Sequence, residues 1–181
     1  MTGSRHWRLM RGEDIPAVSA MAAAIHTDFF EDDAVYIERL KLYPAGCFVL
    51  EGAGGLIGYA ISHPWRQFRI PTLNTLLWQL PDDSDTYYLH DIALLPEGRS
   101  GGLAARVVAV MVEQATRDGF TTMSLVAVNG SAGFWQKQGF SIVDAPELGE
   151  KLRTYSGDAR FMMRTPLSPS FSGLSRESTV G

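Results

Sequence analysis

The sequence contains one cysteine, Cys47, in 181 residues. No internal disulfide can form, so a reducing compartment is the expected setting. Long apolar runs are also missing. The longest stretch of small apolar residues, Ala17 to Ile25, is broken by Ser19 and follows Glu13 and Asp14. It is too short to span a bilayer and lacks the basic start of a secretion signal, which leads us to expect a cytoplasmic protein with no membrane partner. Nor is there an excess of positive charge. Sixteen Lys and Arg against twenty Asp and Glu give a net charge of −4, with no general pull toward nucleic acid. The four histidines, His6, His26, His63 and His90, have no metal-ligand spacing among themselves or with Cys47, so no metal is expected. A G-x-G-x-x-G strand-to-helix fingerprint and a G-x-x-x-x-G-K-[ST] loop are both absent. Gly130-Ser131-Ala132-Gly133 misses the G-x-S-x-G nucleophile pattern, because Asn129 stands in the first glycine's place.

What is present is an ordinary globular composition, 45% apolar and 20% charged, at a length that suits one domain. Trp7 and Leu9 alternate with polar neighbours in a first half-buried strand ended by Gly12. Acidic Glu13 and Asp14, then Pro16, mark a helix start running to Ile25. A second helix is expected from about Asp33 to Tyr43, stopped by Pro44-Ala45-Gly46. Cys47 to Leu50 and Leu56 to Ser62 read as strands around a glycine-rich hairpin turn that includes Gly52-x-Gly54. His63 to Asp85 is a long connection carrying Trp65, Phe68 and Trp78, and connections of this length in a compact domain are usually functional. We read it as a substrate-side loop or lid. Its acidic end, Asp82, Asp83 and Asp85, fits either a solvated turn or attraction of a cationic amine.

The chain is organised around Tyr87 to Gly119. A β-prone run stops at Pro96, and a helix follows with apolar residues at Ala104, Val108, Met111 and Ala115. Between them lies Glu97-Gly98-Arg99-Ser100-Gly101-Gly102. Glycines at a helix start let backbone approach a ligand, and the free N–H groups there favour an anion, most often phosphate. Beyond it, Thr121 to Val128 reads as a strand, Ser131 to Gln138 as a short helix, Phe140 to Val143 as a strand start and Arg160 to Arg164 as a last strand. The Ser-, Pro- and Gly-rich segment after residue 165 reads as a disordered tail, leaving residues 1–165 as the domain.

Arg99-x-x-Gly102-x-Ala104, after a strand ending Ile92-Ala93-Leu94, resembles the [RQ]-x-x-G-x-[GA] signature of the GCN5-related N-acetyltransferase (GNAT) superfamily. Val128 to Phe140, ending in Gly139-Phe140, is similar to that family's next strand, short helix and G-F ending. The resemblance spans Trp7 to Arg164. It implies an α/β fold, a mixed and mostly antiparallel sheet with helices on both faces. It also implies acetyl-CoA as cofactor. The arm of the cofactor would bond to backbone of Ile92, Ala93 and Leu94, and its pyrophosphate would sit in the turn Arg99, Ser100, Gly101, Gly102, Leu103, Ala104 and Ala105. Asn129 would either bond the arm or cap the next helix, and Phe134 and Trp135 would line the pocket.

The implied activity is transfer of acetyl to a primary amine, with a small-molecule amine as first choice and a peptide amine or a binding-only acyl-CoA domain as rivals. Phe29, Phe30, Glu31 and Trp78 are candidates for touching the acceptor; for the first three, aromatic core plus an acidic cap is the plainer reading. Homodimers occur in the family, though nothing here identifies an interface. Where many members carry a tyrosine acid toward the leaving thiolate, this chain has Trp135, whose indole N–H does not ionise. The glutamate base some members place before Asn129 is missing as well, since Val126, Ala127 and Val128 stand there. The remaining catalytic candidates are His90, Asp91 and Tyr88. Tyr88 is a poor base near neutrality, and strict alternation would put His90 on one face with Tyr88 and Ile92, unless a bulge presents Asp91 instead.

Overall fold

In helix α1 (Ile15–Ile25), Pro16 occupies the first turn, where its missing N–H is not needed. The computed structural model describes residues 3–165; the tail expected beyond residue 165 lies outside them. Ile15, Val18, Met21 and Ala22 form the buried stripe of α1. Together with α2 (Asp33–Leu42), this stripe covers Cys47, Val49, Tyr59 and Ile61 on one face of the sheet.

The strands are β1 (His6–Leu9), β2 (Cys47–Gly52), β3 (Gly55–Trp65), β4 (Thr86–Leu94), β5 (Met123–Ala127), β6 (Ser141–Ile142) and β7 (Arg160–Arg164). Their order across the sheet is β1-β2-β3-β4-β5-β7-β6. Only β4–β5 is parallel, and the crossover between them is α3 (Leu103–Arg117). This helix buries Leu103, Val107, Val108, Met111 and Ala115, a 3.6-residue stripe. It packs on Tyr87, Leu89, Met123 and Leu125, across the sheet from α1 and α2. Helices therefore cover both faces of a mixed, mostly antiparallel sheet.

Two elements differ from the sequence expectation. β3 runs three residues past Ser62, through Pro64, because β2 has already ended opposite Ile61. With a neighbour on one side only, a residue lacking an N–H is tolerated. The seven-residue helix α5 (Gly149–Tyr155), after the short helix α4 (Ala132–Lys137), is new. It starts on glycine and carries only Leu152 and Tyr155 as apolar positions, which pack with Leu148 and Phe161, too short a pattern to mark a helix in the sequence.

Candidate functional site

Strands β4 and β5 pair at Tyr87–Met123, Tyr88–Ser124 and Leu89–Leu125, and then part. β4 continues to Leu94 beyond the end of its ladder with β5, and a cleft of about 430 Å³ opens there. One wall is Leu89 to Leu94; the other includes Val126, Val128 and Asn129. Phe134 and Trp135 line it from α4, Arg99 and Ala104 from the head of α3, and Ile25 and His26 from the end of α1. The aromatic pair is stacked edge-on, 5.0 Å between ring centroids, and Trp135 packs in turn on Phe140 at 5.5 Å.

The turn at the head of α3 is held from several directions. Arg99 Nε donates to Leu94 O at 2.9 Å, fixing the guanidinium against the end of β4. Gly101 and Gly102 have φ of +76° and +68°, a conformation that costs other residues energy. A Cβ on Gly102 would project into open space, so the glycine serves backbone conformation and leaves the helix end clear. The N–H groups of Leu103, Ala104 and Ala105 are the first of α3 and have no carbonyl one turn back. Arg5, from before β1, donates to Glu97 O at 2.8 Å and Ser100 Oγ at 2.9 Å. Trp7 Nε1 donates to Leu103 O at 2.8 Å. These two braces connect residues more than ninety positions apart, beyond the reach of local sequence reasoning.

A bulge organises the other end of the cleft. Asp91 pairs with Ile61 and Leu89 with Ser62, leaving His90 as an extra residue in β4. Simple alternation is thereby corrected. His90 and Asp91 both project to the α1–α2 face, while Ile92, opposite Ala60, packs on the α3 side away from Tyr88. Asp91 Oδ1 lies 2.9 Å from His26 Nε2, and its Oδ2 accepts the hydroxyl of Tyr59. Glu31 Oε1 lies 2.6 Å from His90 Nε2, and its Oε2 accepts the Asn74 N–H at 3.1 Å. Burial pushes the Glu31 carboxyl up, but the charge and hydrogen bond of His90 outweigh it, so its pKa lies below the ordinary carboxylate value. His26 behaves similarly: burial lowers it, yet the hydrogen bond and charge of Asp91 leave it above the ordinary 6.5. Tyr88 is buried behind this pair, and burial holds its phenol protonated far above neutrality. His63, 6.3 Å from His90 between ring centroids, is held neutral, its pKa pushed by burial to about 3.

His26, His90 and Asp91 stand between the cleft and a smaller chamber of about 50 Å³. The chamber is walled by Phe29, Glu31, Tyr88 and Tyr155. The loop 66–85 is stitched beside it. Glu38 accepts the N–H groups of Leu77 and Trp78 at 2.6 and 2.9 Å, Asn74 Oδ1 accepts the Asp32 N–H at 2.8 Å, and Tyr155 donates to Pro71 O at 2.6 Å. Of the acceptor candidates, Phe29 and Glu31 reach the chamber, whereas Phe30 and Trp78, 59% and 79% exposed, lie outside both cavities. The acidic end of the loop is used internally: Asp83 pairs with Arg66 at 2.7 Å and Asp85 accepts the Gln67 N–H at 2.6 Å. No group of three or more metal-binding side chains occurs among the described residues, and no described helix is long and apolar enough to cross a membrane.

The profile of the Acetyltransferase (GNAT) family matches residues 15–140. The chain belongs to this family. Solved structures share the GNAT fold along most of its length. The GphF GNAT-like decarboxylase in complex with isobutyryl-CoA aligns with a TM-score of 0.74 and 16% identity, over 90% of this chain and 100% of that one. The NatC complex bound to Gag peptide and CoA gives 0.65 and 15%, over 90% and 98%. N-acetylglutamate synthase from Neisseria gonorrhoeae, complexed with CoA and N-acetyl-glutamate, gives 0.65 and 17%, over 90% of this chain but 35% of that longer one. No curated protein matches the chain. In this GNAT member, nothing local in the sequence marks the place of His26 beside the cleft, because its partner Asp91 is 65 positions away.

Proposed function

We propose that the chain is an acetyl-CoA-dependent N-acetyltransferase that acylates a primary amine, with donor and acceptor bound together. The parting of β4 from β5 carries this reading, because it leaves strand backbone beyond the ladder, between a phosphate-suited helix start and a pair of histidine–carboxylate contacts. A cofactor arm with its own amides finds backbone partners along Ile92, Ala93 and Leu94. The phosphates would meet the N–H groups following Gly101 and Gly102, with Arg99, Ser100, Leu103, Ala104 and Ala105 completing the turn. Asn129, Phe134 and Trp135 would close the opposite wall. When bound, acetyl-CoA supplies an activated acyl thioester.

The chain's own groups then have to seat the amine and manage its proton. His90 and Asp91, brought to one face by the bulge, border both cavities, and Tyr88 supports them as a neutral wall. Cys47 is buried and its thiol is pushed by burial up to about 12, which favours direct attack over an acyl-cysteine relay. The small size of the chamber and its Phe29, Tyr88 and Tyr155 walls favour the amino end of a small molecule. A peptide amine is the second reading, and the fold accommodates both: the synthase structure holds N-acetyl-glutamate and the NatC complex a peptide.

The test is the thermal midpoint with acetyl-CoA, CoA and ATP in parallel, followed by thiol release with small amines and with peptides. A ligand at about a hundred times its Kd stabilises by about 2.7 kcal/mol, readily seen as a shift. A shift with CoA species alone, and turnover with a small amine, is expected. Binding without turnover on any amine would favour a binding-only domain, and no shift at all would remove the cofactor assignment.

A further inference from the structure

The family's usual acid position holds Trp135, and the wall across the cleft supplies Val126 and Val128, so neither offers a titrating group to the reaction. His26 borders both the cleft, where the thioester belongs on the reading above, and the chamber, where the amine belongs. Its Nε2 is 2.9 Å from Asp91 Oδ1. An ionised carboxylate only accepts, so Nε2 carries the proton and Nδ1 is left with its lone pair. That Nδ1 is buried and has no hydrogen-bond partner among the described residues, as is also true of Nδ1 of His90, so a substrate amine reaches it only by displacing its neighbours. Asp91 is itself fixed by the Tyr59 hydroxyl on its second oxygen. His26 ends α1, its backbone N–H bonded to Ala22 O at 2.8 Å, so the ring is delivered by a packed helix.

His90 has a comparable partner but a different setting. Its side chain is 3% exposed, against 16% for His26, and Glu31 is also committed to the loop through Asn74. The His90–Glu31 pair is built as a brace, and His26–Asp91 as a working dyad.

We infer that His26, oriented by Asp91, is the catalytic proton shuttle of this enzyme, taking the proton shed by the acceptor amine and returning it to the departing thiolate. The inference rests on the acetyltransferase reading. An ammonium acceptor first loses one proton to solvent. The nitrogen–acyl carbon bond then forms as the carbon–sulfur bond breaks; the nitrogen's surplus proton goes to Nδ1 of His26 and from there to sulfur. His26 ends neutral, as it began, and the products are the amide and the free thiol. One imidazole thus replaces both the missing tyrosine acid and the missing glutamate base. Asp91 is a positioning residue that stabilises the transient imidazolium.

The groups facing His26 are Asp91 and His90 on β4, Glu31 on the α1–α2 link, and the phenols of Tyr59, Tyr88 and Tyr155, which stay protonated through neutrality. The two carboxylates make His26 easier to protonate. The shuttle starts from the neutral ring, so the rate should rise with pH through a midpoint above 6.5.

The experiment compares the wild type with His26→Gln and Asp91→Asn. Its readouts are the His26 ring titration by NMR in the free protein, the CoA Kd by calorimetry, and the pH profile of thiol release with a panel of primary amines. The expected result is a His26 midpoint above 6.5 that falls in Asp91→Asn, CoA still bound by both variants, and a rate in His26→Gln reduced by about 100-fold or more that keeps the rise due to the amine's own deprotonation but loses the inflection at the His26 midpoint. A His26 midpoint indifferent to Asp91→Asn would overturn the dyad. Full turnover by His26→Gln with an unaltered profile would overturn the shuttle while leaving the acetyltransferase reading intact. A wild type that binds CoA yet acylates no amine would instead remove that reading, and the shuttle with it.

Discussion

Glu31 joins two parts of the molecule through one carboxylate: Oε1 lies 2.6 Å from His90 Nε2 in the bulge of β4, and Oε2 accepts the Asn74 N–H of the long loop at 3.1 Å. Both members of this hydrogen-bonded pair are nearly inaccessible, at 4% and 3% side-chain exposure. Removing one partner strands the other without compensation. Glu31→Ala should therefore destabilise the fold by about 3 kcal/mol, measured by urea unfolding. The pH dependence has a definite sign. The Glu31 carboxyl is depressed below 4.5 in the fold, so its contribution is complete above that value and lost as pH falls through the depressed one. The difference in stability between wild type and Glu31→Gln should shrink on acidification below pH 4.5.

Gly102 sits at φ +68° with open space where a side chain would project. A Gly102→Val substitution should strain the backbone by about 1–2 kcal/mol and place a branched side chain at the helix start. The expected outcome is a lowered thermal midpoint and a larger proportional loss in the shift given by CoA. A CoA shift of wild-type size in the variant would count against phosphate binding at this turn.

Arg5 braces the same turn from outside, through Glu97 O and Ser100 Oγ. Removing it in Arg5→Ala loosens the turn and takes away a nearby positive charge. Loss of a charged contact worth about 1 kcal/mol should weaken CoA binding roughly five-fold, with salt sensitivity reduced. Calorimetry at two ionic strengths gives both quantities.

Cys47 is fully buried and its thiol is pushed up to about 12. The folded protein should resist Ellman's reagent at pH 8 and react with one equivalent once denatured. Cys47→Ser should retain acyl transfer; loss of activity without loss of fold would revive a covalent relay.

The strand, turn and helix at one end of the cleft were legible in the sequence because their signals are contiguous: a strand, Pro96, two glycines and a periodic helix fall within some thirty residues. The chamber beside the bulge was harder for a physical reason. The bulge at His90 breaks the period-two pattern without any glycine or proline to announce it, so Ile92 reads onto the wrong face. His26 reads as a helix end until folding brings it to Asp91, and Arg5 as a surface charge until it reaches Ser100. α5 offers only Leu152 and Tyr155 as apolar positions, too short a pattern to stand out, yet Tyr155 walls the chamber and donates to Pro71 O.

The extra residue in β4 also sets the parity of everything that follows it. Pairing His90 with Ile61 in an unbulged ladder would instead move each residue from Asp91 to Leu94 to the other side of the sheet. Asp91 would turn toward α3 and Ile92 toward α1, so a carboxylate would enter the apolar packing while an aliphatic group met His26. Deleting His90 removes the bulge and leaves those four residues on their faces, whereas straightening the strand with His90 retained inverts all four, so the site depends on the bulge as firmly as on the identity of its residues.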